Sequence, residues 1–233
     1  MRDKVRLFVS ARGDVSDEHV AARAADAVQA LRSTLPNDID VAAASRHPND
    51  PTRELTNAAA MATAAVTFDA SVSLAAEQGS LERLIAALPI VVQQFGDVID
   101  RDQSAALAGV ERVIVAGEEP LVHLFALRRL PSISNEEFHD HWFTIHSGLG
   151  HTIPGIGAYN QFHADADASA QAAKTAGVGY GDYDGVAETF CADLAAFNTI
   201  MTSAEVADEG ISDQREFIDA SRSTAALYEI VRI

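Results

Sequence analysis

The order of the secondary structure elements is the feature that most constrains this chain, because the same order occurs twice. Alternating and helical patterns of apolar residues predict β-α-β-β-α-β in residues 1–118, and the same order in residues 119–233. Matching positions are separated by a nearly constant offset of about 115 to 119 residues, which is 118 for Ser16 and Ser134. We therefore predict an internal duplication. The alternative is a single α+β domain whose halves only look alike.

Each half has the element order of a ferredoxin-like unit. Such a unit covers one face of its sheet with helices and leaves the other face bare. Two bare faces within one chain can bury each other. We therefore predict an α+β fold in which tandem ferredoxin-like halves form one closed, barrel-like unit.

Two segments give weaker signals. Residues 49–65 contain an Ala-rich piece that is compatible with a short helix. Residues 164–182 are rich in Ala, Gly and Asp, and this composition predicts a long mobile loop.

Composition excludes several classes of protein. The net charge of −17 repels phosphate backbones, and no run of Lys or Arg offsets it, so nucleic-acid binding is not expected. The single cysteine, Cys191, allows no internal disulfide and no multi-cysteine zinc site, and it has no activating base nearby in the sequence. There is no signal-peptide pattern and no long apolar run. We expect a cytoplasmic protein that does not span a membrane.

The helix that follows Ser134 has the most complete local signals. Ser134 and Glu137 form a capping box at its start. Four apolar residues then fall on one face of the predicted helix: Phe138, Trp142, Ile145 and Leu149.

The C-terminal half resembles the EthD family over about residues 121–233. Three motifs carry the resemblance. The first is a helix with the pattern Glu-Glu-Phe…Trp…His in residues 134–146. The others are a Pro-Gly…Tyr turn in residues 154–159 and a Tyr-Asp-Gly-Val-Ala-Glu strand in residues 183–188. It implies membership of the dimeric α/β-barrel superfamily, whose barrels normally form between two subunits. That superfamily includes cofactor-independent monooxygenases, cyclases, isomerases, decarboxylases, dehydratases and haem enzymes. EthD proteins often occur beside oxidative degradation pathways.

Histidines are concentrated in this half. Six of the eight lie close together in the sequence: His123, His139, His141, His146, His151 and His163. Histidine is the side chain best suited to proton transfer near neutral pH. His139 and His141 do not face each other on a helix, so we predict no metal site.

The candidate catalytic residues are His146, Tyr159 and His163. His146 lies at the margin of the apolar helix face, where a partly buried, neutral imidazole can act as a base. Tyr159 and His163 share one face of the following strand with Gln161. If that face looks toward the helix, the three candidates converge on one pocket. A histidine base with a tyrosine donor requires no cofactor.

Structural roles are the alternative for most of these residues. His146 can cap the end of its helix, and Tyr159 can be a packed side chain. Trp142 fits a core position, although we assign it to the substrate-binding set. That set contains His123, His139, Trp142 and Gln161.

Only the C-terminal half carries the polar set. An offset of about 118 residues places Val28, Val41 and Ser45 opposite His146, Tyr159 and His163. We predict one half that holds the site, residues 119–233, and one scaffold half, residues 1–118.

The leading functional hypothesis is a cofactor-independent lyase or isomerase that acts on an apolar or aromatic catabolite. A non-catalytic accessory or ligand-binding protein of an oxidative pathway is the alternative. A haem protein or a cofactor-free monooxygenase is a further one. A small-molecule substrate is the expected partner, and the chain is expected to be either a monomer with an intrachain pseudo-dimer or a homodimer.

Overall fold

A computed structural model describes residues 1–54 and 68–232 of the chain. The Ala-rich piece for which a short helix was considered lies mostly outside these residues. None of the described helices is both long enough and apolar enough to cross a membrane.

The described residues of the first half contain four strands and two α-helices in the predicted order. They are β1 (Arg2–Ala11), α1 (Asp17–Thr34), β2 (Asp40–Arg46), β3 (Ala70–Ala76), α2 (Leu81–Phe95) and β4 (Ile99–Val115). The second half repeats this order with two additional helices, one between its second and third strands and one before its last strand. Its elements are β5 (Leu121–Leu127), α3 (Asn135–Thr144), β6 (Ala158–Ala164), α4 (Ala166–Ala176), β7 (Gly185–Cys191), α5 (Leu194–Thr202), α6 (Ile211–Phe217) and β8 (Thr224–Ile230). A 3-10 turn (His146–His151) follows α3, and a π-helical segment (Glu205–Gly210) leads into α6.

The eight strands form one closed barrel in the order β1-β3-β2-β8-β5-β7-β6-β4, and every neighbouring pair is antiparallel. Each half contributes four adjacent strands in the same internal order: its fourth, first, third and second. Two seams join the halves, β2 with β8 and β4 with β6. The predicted α+β class and the barrel are confirmed. An origin by duplication stays a prediction.

Strand alternation divides the side chains of the sheet between the barrel interior and an outer layer under the helices. On β1, Val5, Leu7 and Val9 face outward and pack in one apolar cluster with residues of α1 and α2. Phe8 faces inward and belongs to a second cluster inside the barrel. Each face of the sheet therefore has its own core.

The outer layer of the first half is filled with aliphatic side chains. Helix α1 begins after Ser16, whose side chain accepts a hydrogen bond from the His19 N–H, and it buries one apolar stripe. Helix α2 buries Leu84, Leu88 and Val92 against the same strands.

The prediction of a long mobile loop over residues 164–182 is wrong, because Ala166–Ala176 form helix α4. Asp165 accepts a hydrogen bond from the Ala168 N–H and caps α4, which ends at Gly177 with φ 66°. Ala172, Ala173 and Ala176 are buried against the first half. A helix that buries only small side chains lacks the strong apolar stripe on which the sequence-based prediction depended.

The face predicted for α3 needs a smaller correction. Phe138 and Trp142 are buried as expected, and the capping box of Ser134 and Glu137 is present. The helix ends at Thr144, however, and Ile145 is 59% exposed. The chain then changes to a 3-10 turn, and the spacing of an α-helix no longer applies.

Candidate active site

A pocket of about 70 Å³ lies between the outer face of the C-terminal sheet and the helices that cover it. Strands β5, β6 and β7 form its floor. The 3-10 turn after α3, α5, the π-helical segment and α6 form its roof. Most of its lining is apolar: Phe125, Leu149, Gly150, Ile153, Ile156, Ala187, Phe197, Ile200, Met201, Val206 and Gly210. Its polar lining residues are His123, His146, Tyr159, Thr189 and Gln214.

His146 is the first residue of the 3-10 turn and is held from α6. Its Nδ1 lies 2.7 Å from Asp213 Oδ2, and its ring meets that of Phe217 edge-on at 5.3 Å between centroids. His141 Nε2 lies 2.9 Å from the other oxygen of Asp213. The hydrogen bond from His146 holds the pKa of Asp213 below its usual value, and the bond from His141 adds to this effect.

An ionised Asp213 can only accept hydrogen bonds, so both imidazoles donate to it. His146 therefore carries a proton on Nδ1, and Nε2 is the nitrogen left for a ligand in the pocket. This is the arrangement of a histidine base that a carboxylate orients.

His123 projects outward from β5 into the wall of the pocket and is 4% exposed. Its ring packs 5.5 Å from that of Phe197, between centroids. Within the described residues, its Nε2 has no hydrogen-bond partner. Burial lowers the pKa of His123 to about 4, so the ring is neutral at physiological pH. A buried polar atom without a partner is unusual in a native fold.

Tyr159 contributes its ring to the pocket. Gly150 packs directly on this ring, since a Cβ at position 150 would lie 2.5 Å from Tyr159 Cδ1. The hydroxyl oxygen of Tyr159 accepts hydrogen bonds from Trp142 Nε1 and Gln161 Nε2, each at 3.3 Å. Burial raises the pKa of Tyr159, which keeps the hydroxyl protonated.

His163 does not join His146 and Tyr159 in the pocket, contrary to the predicted convergence. It shares the outer face of β6 with Tyr159, but its ring lies against Trp142 at 4.6 Å and against His139 at 4.9 Å between centroids. Burial, with smaller effects from His139 and Arg112, lowers the pKa of His163 to about 3. His163 Nε2 lies 3.2 Å from Gln161 Oε1, and the ring is not part of the pocket lining.

Of the four residues assigned to substrate binding, only His123 lines the pocket. Trp142 is buried in the core beside Phe138, with 5.6 Å between their ring centroids. Gln161 is buried and donates to the Trp142 carbonyl at 2.8 Å, while His139 Nε2 lies 2.8 Å from the Asp184 carbonyl oxygen. These residues support the pocket from behind and do not line it.

Asp213, Gln214 and Thr189 were not among the predicted site residues. Asp213 contacts His146 across 67 residues of sequence, and no motif or periodicity connects the two. The exposed His151 does not line the pocket, although it ends the same turn that His146 begins.

A comparison with known families supports the resemblance of the C-terminal half to the EthD family. Residues 130–221 match the model of the EthD domain. This range contains His146 and Tyr159 together with Asp213, which hydrogen-bonds to His146. Residues 130–221 thus match the family that the motifs of this half resemble. A comparison with curated proteins finds no match.

Solved structures with the same fold cover almost the whole chain at low identity. An anthrone oxidase-like protein has a TM-score of 0.58 and 10% identity, with coverage of 99% of this chain and 91% of its own. A protein from Lactobacillus acidophilus, provisionally named a monooxygenase, has a TM-score of 0.55 and 7% identity, with coverage of 99% and 94%. A mutant chlorite dismutase from Candidatus Nitrospira defluvii has a TM-score of 0.53 and 9% identity, with coverage of 98% and 91%. These similarities show a dimeric α/β-barrel fold.

A haem does not fit this pocket. A cavity of about 150 Å³ can bind one benzene molecule, and this pocket in its present closed form measures about 70 Å³. A porphyrin contains several such rings, and its entry would require the helices to separate from the sheet. Among the described residues, no cluster of three or more His, Cys, Asp or Glu side chains is arranged to hold a metal ion.

Proposed function

We propose that the chain is a small-molecule enzyme that removes a proton from an apolar or aromatic substrate, with His146 as the general base. The observation that supports this most directly is the hydrogen bond from His146 to Asp213 at the edge of a mainly apolar pocket. The carboxylate fixes the tautomer of the imidazole and stabilises the cation that forms when Nε2 accepts a proton.

His123 is proposed to recognise a polar group of the substrate. Its neutral ring lies among the aromatic side chains of Phe125 and Phe197, and its Nε2 lacks a partner in the described part of the chain. A carbonyl or hydroxyl group that reaches Nε2 would satisfy it. Tyr159 is proposed as a second polarising group, because its hydroxyl is protonated and held in place by two donors.

A substrate with one aromatic ring requires the pocket to widen. The roof residues most suited to move are those of the π-helical segment, since such segments interrupt regular helices and often occur at functional sites. We therefore propose that Glu205–Gly210 moves outward to admit the substrate and then closes over it.

The proposed reaction after proton removal is an isomerisation or a lyase reaction. The carbanion can be reprotonated at another carbon or can expel a leaving group, and neither outcome needs a cofactor. A second candidate is reaction of the same carbanion with O₂. The names of the structural neighbours favour it, since they include an anthrone oxidase-like protein and a provisional monooxygenase.

The first half is proposed to be a scaffold partner. Val28, which an offset of 118 residues places opposite His146, is buried in the aliphatic cluster under α1 and α2. We propose that the boundary between the halves lies between residues 118 and 119, in the segment that joins β4 to β5.

Deuterium exchange tests the proposal without knowledge of the natural substrate. The probes are three aromatic ketones with acidic C–H bonds and increasing size: 2-indanone, 2-tetralone and anthrone. Loss of the C–H signal is followed by proton NMR in D₂O without oxygen. We expect the protein to accelerate exchange of at least one probe, and His146→Gln to slow it by about 100-fold or more. His151→Gln is the matched control, because His151 is exposed in the same turn, and it should leave the rate unchanged.

Equal exchange rates in the wild type and His146→Gln would refute the role of His146. Saturable binding of a probe without any acceleration of exchange would favour the accessory, ligand-binding alternative. Admission of oxygen to an active sample then separates the two candidate reactions, because only the oxygenation consumes O₂.

A further inference from the structure

Strands β5, β7 and β6 place three polar side chains in one row across the floor of the candidate active site. Thr189 on β7 pairs in register with His123 on β5, and on its other side with Tyr159 on β6. Residues that pair in register point to the same face of a sheet, with their Cβ atoms about 5 Å apart. All three line the pocket, so Thr189 lies between the two residues already proposed to contact the substrate.

Two neighbours in this row have unused hydrogen-bonding groups. Within residues 1–54 and 68–232, the Thr189 hydroxyl forms no hydrogen bond, and the buried Nε2 of His123 has no partner either. A hydroxyl that faces an apolar pocket without a partner contributes little to the stability of the fold. Two such groups on paired residues are therefore available to a ligand.

Both groups can donate to one oxygen atom. A threonine hydroxyl rotates to suit its acceptor, and a neutral imidazole carries one N–H, which Nε2 can hold. Asp50 acts on His123 electrostatically, but this carboxylate is paired with Arg46 at 2.8 Å. The pocket thus offers two neutral donors among mainly apolar side chains, where a hydrogen bond is stronger than it is in water.

We propose that His123 and Thr189 together bind the oxygen on which negative charge develops, and that Thr189 is a further catalytic residue. We call these two residues the oxyanion pair. His146 Nε2 removes a proton from the carbon beside a substrate carbonyl, the C–H electron pair forms a C=C bond, and the carbonyl π pair moves onto oxygen to give an enolate. The oxyanion pair donates two hydrogen bonds to that oxygen, while the proton stays on His146 until it is returned.

The oxyanion pair narrows the substrate to a compound with a carbonyl group next to its acidic C–H bond. This inference rests on the proposed role of His146 as the base, but ligand binding tests the pair without any turnover. 2-Naphthol is the aromatic counterpart of the enol of 2-tetralone, so its hydroxyl takes the place of the enolate oxygen. Naphthalene has the same rings and lacks the oxygen.

Deuterium exchange of the probe ketones tests the catalytic part. Thr189→Val keeps the shape of the side chain and loses the hydroxyl, so it should slow exchange by about tenfold or more. Thr189→Ser restores a hydroxyl and should recover most of the rate. Thr199→Val is the matched control, because the exposed Thr199 of α5 donates to the Ala195 carbonyl at 2.9 Å and does not line the pocket. Its rate should equal that of the wild type.

Fluorescence titration with 2-naphthol and with naphthalene tests the binding part. We expect the wild type to bind 2-naphthol at least about tenfold more tightly than naphthalene, because two hydrogen bonds are gained. Thr189→Val and His123→Phe should each weaken 2-naphthol binding by about fivefold and leave naphthalene binding unchanged. A purely structural role of Thr189 would instead weaken the binding of both ligands.

Circular dichroism checks that each variant is folded, and Thr189→Ala replaces Thr189→Val if the latter is not. If Thr189→Val exchanges the probes at the wild-type rate while His146→Gln is slow, the oxyanion pair is wrong and the proposed function stands. If the wild type exchanges no probe, the proposed function fails and binding decides. Preference for 2-naphthol that Thr189→Val removes would then support the pair. Absence of 2-naphthol binding, equal affinity for naphthalene, or an unchanged affinity in Thr189→Val would overturn it.

Discussion

Replacement of His123 with Phe removes a buried imidazole from a wall that it shares with Phe125 and Phe197. Burial lowers the pKa of His123 to about 4, whereas the unfolded chain protonates this ring with a pKa of about 6.5. Because the unfolded state then binds the additional proton, the free energy of unfolding falls as the pH drops below about 6.5, and the loss grows until the pH reaches about 4. His123→Phe should abolish this contribution.

The magnitude follows from the separation of the two pKa values. At pH 5.5, one unit below the pKa of the unfolded state, His123 costs the folded protein about 1.4 kcal/mol, and at pH 7.5 it costs almost nothing. The assay is urea unfolding at both pH values, which lie above the isoelectric point of about 4.7. The loss of stability between pH 7.5 and 5.5 should be about 1.4 kcal/mol smaller in His123→Phe than in the wild type.

The control for this experiment is His19→Gln, because His19 is exposed on α1 and should not alter the difference. An unchanged loss of stability in His123→Phe would show that His123 is protonated in the folded protein at pH 5.5. The neutral role proposed for this ring in the pocket would then be wrong.

Three further predictions concern the site and the barrel. Asp213→Asn should slow deuterium exchange of the probe ketones at least about tenfold while their affinity, measured by calorimetry, stays constant, because it disturbs the orientation of the base and not the pocket. Glu188→Gln should lower the free energy of unfolding in urea by about 3–5 kcal/mol, since it leaves Lys4 and Arg6 buried without their shared carboxylate. Gly150→Ala should lower the melting temperature and probe affinity, because its Cβ would lie 2.5 Å from Tyr159, whereas the open Gly148 tolerates the same change.

Most of the fold was predictable because its signals are local. Capping residues such as Ser16 and Ser134, and the apolar stripes after them, depend on neighbours within one or two turns. Alternation along the strands indicated two faces, and two sheets with bare faces indicated a barrel. Helix α4 was missed because buried alanines look like a flexible composition until a partner surface is known.

The site was predictable only in part. Helix and strand periodicity placed His146 and Tyr159 on faces that meet in one pocket. The same periodicity gave the correct face of β6 for His163, but it carries no information about which side of Trp142 that ring occupies. The contact of Asp213 with His146 depends on how α6 packs against the turn, and packing between distant segments is not written in any local pattern.

The two seams of the barrel connect strands of one polypeptide, β2 with β8 and β4 with β6. Barrels that form between subunits obey mass action, so dilution opens them. Here the two sheets are tethered and meet at a fixed effective concentration. Closure of this barrel should therefore not vary with the amount of protein in solution.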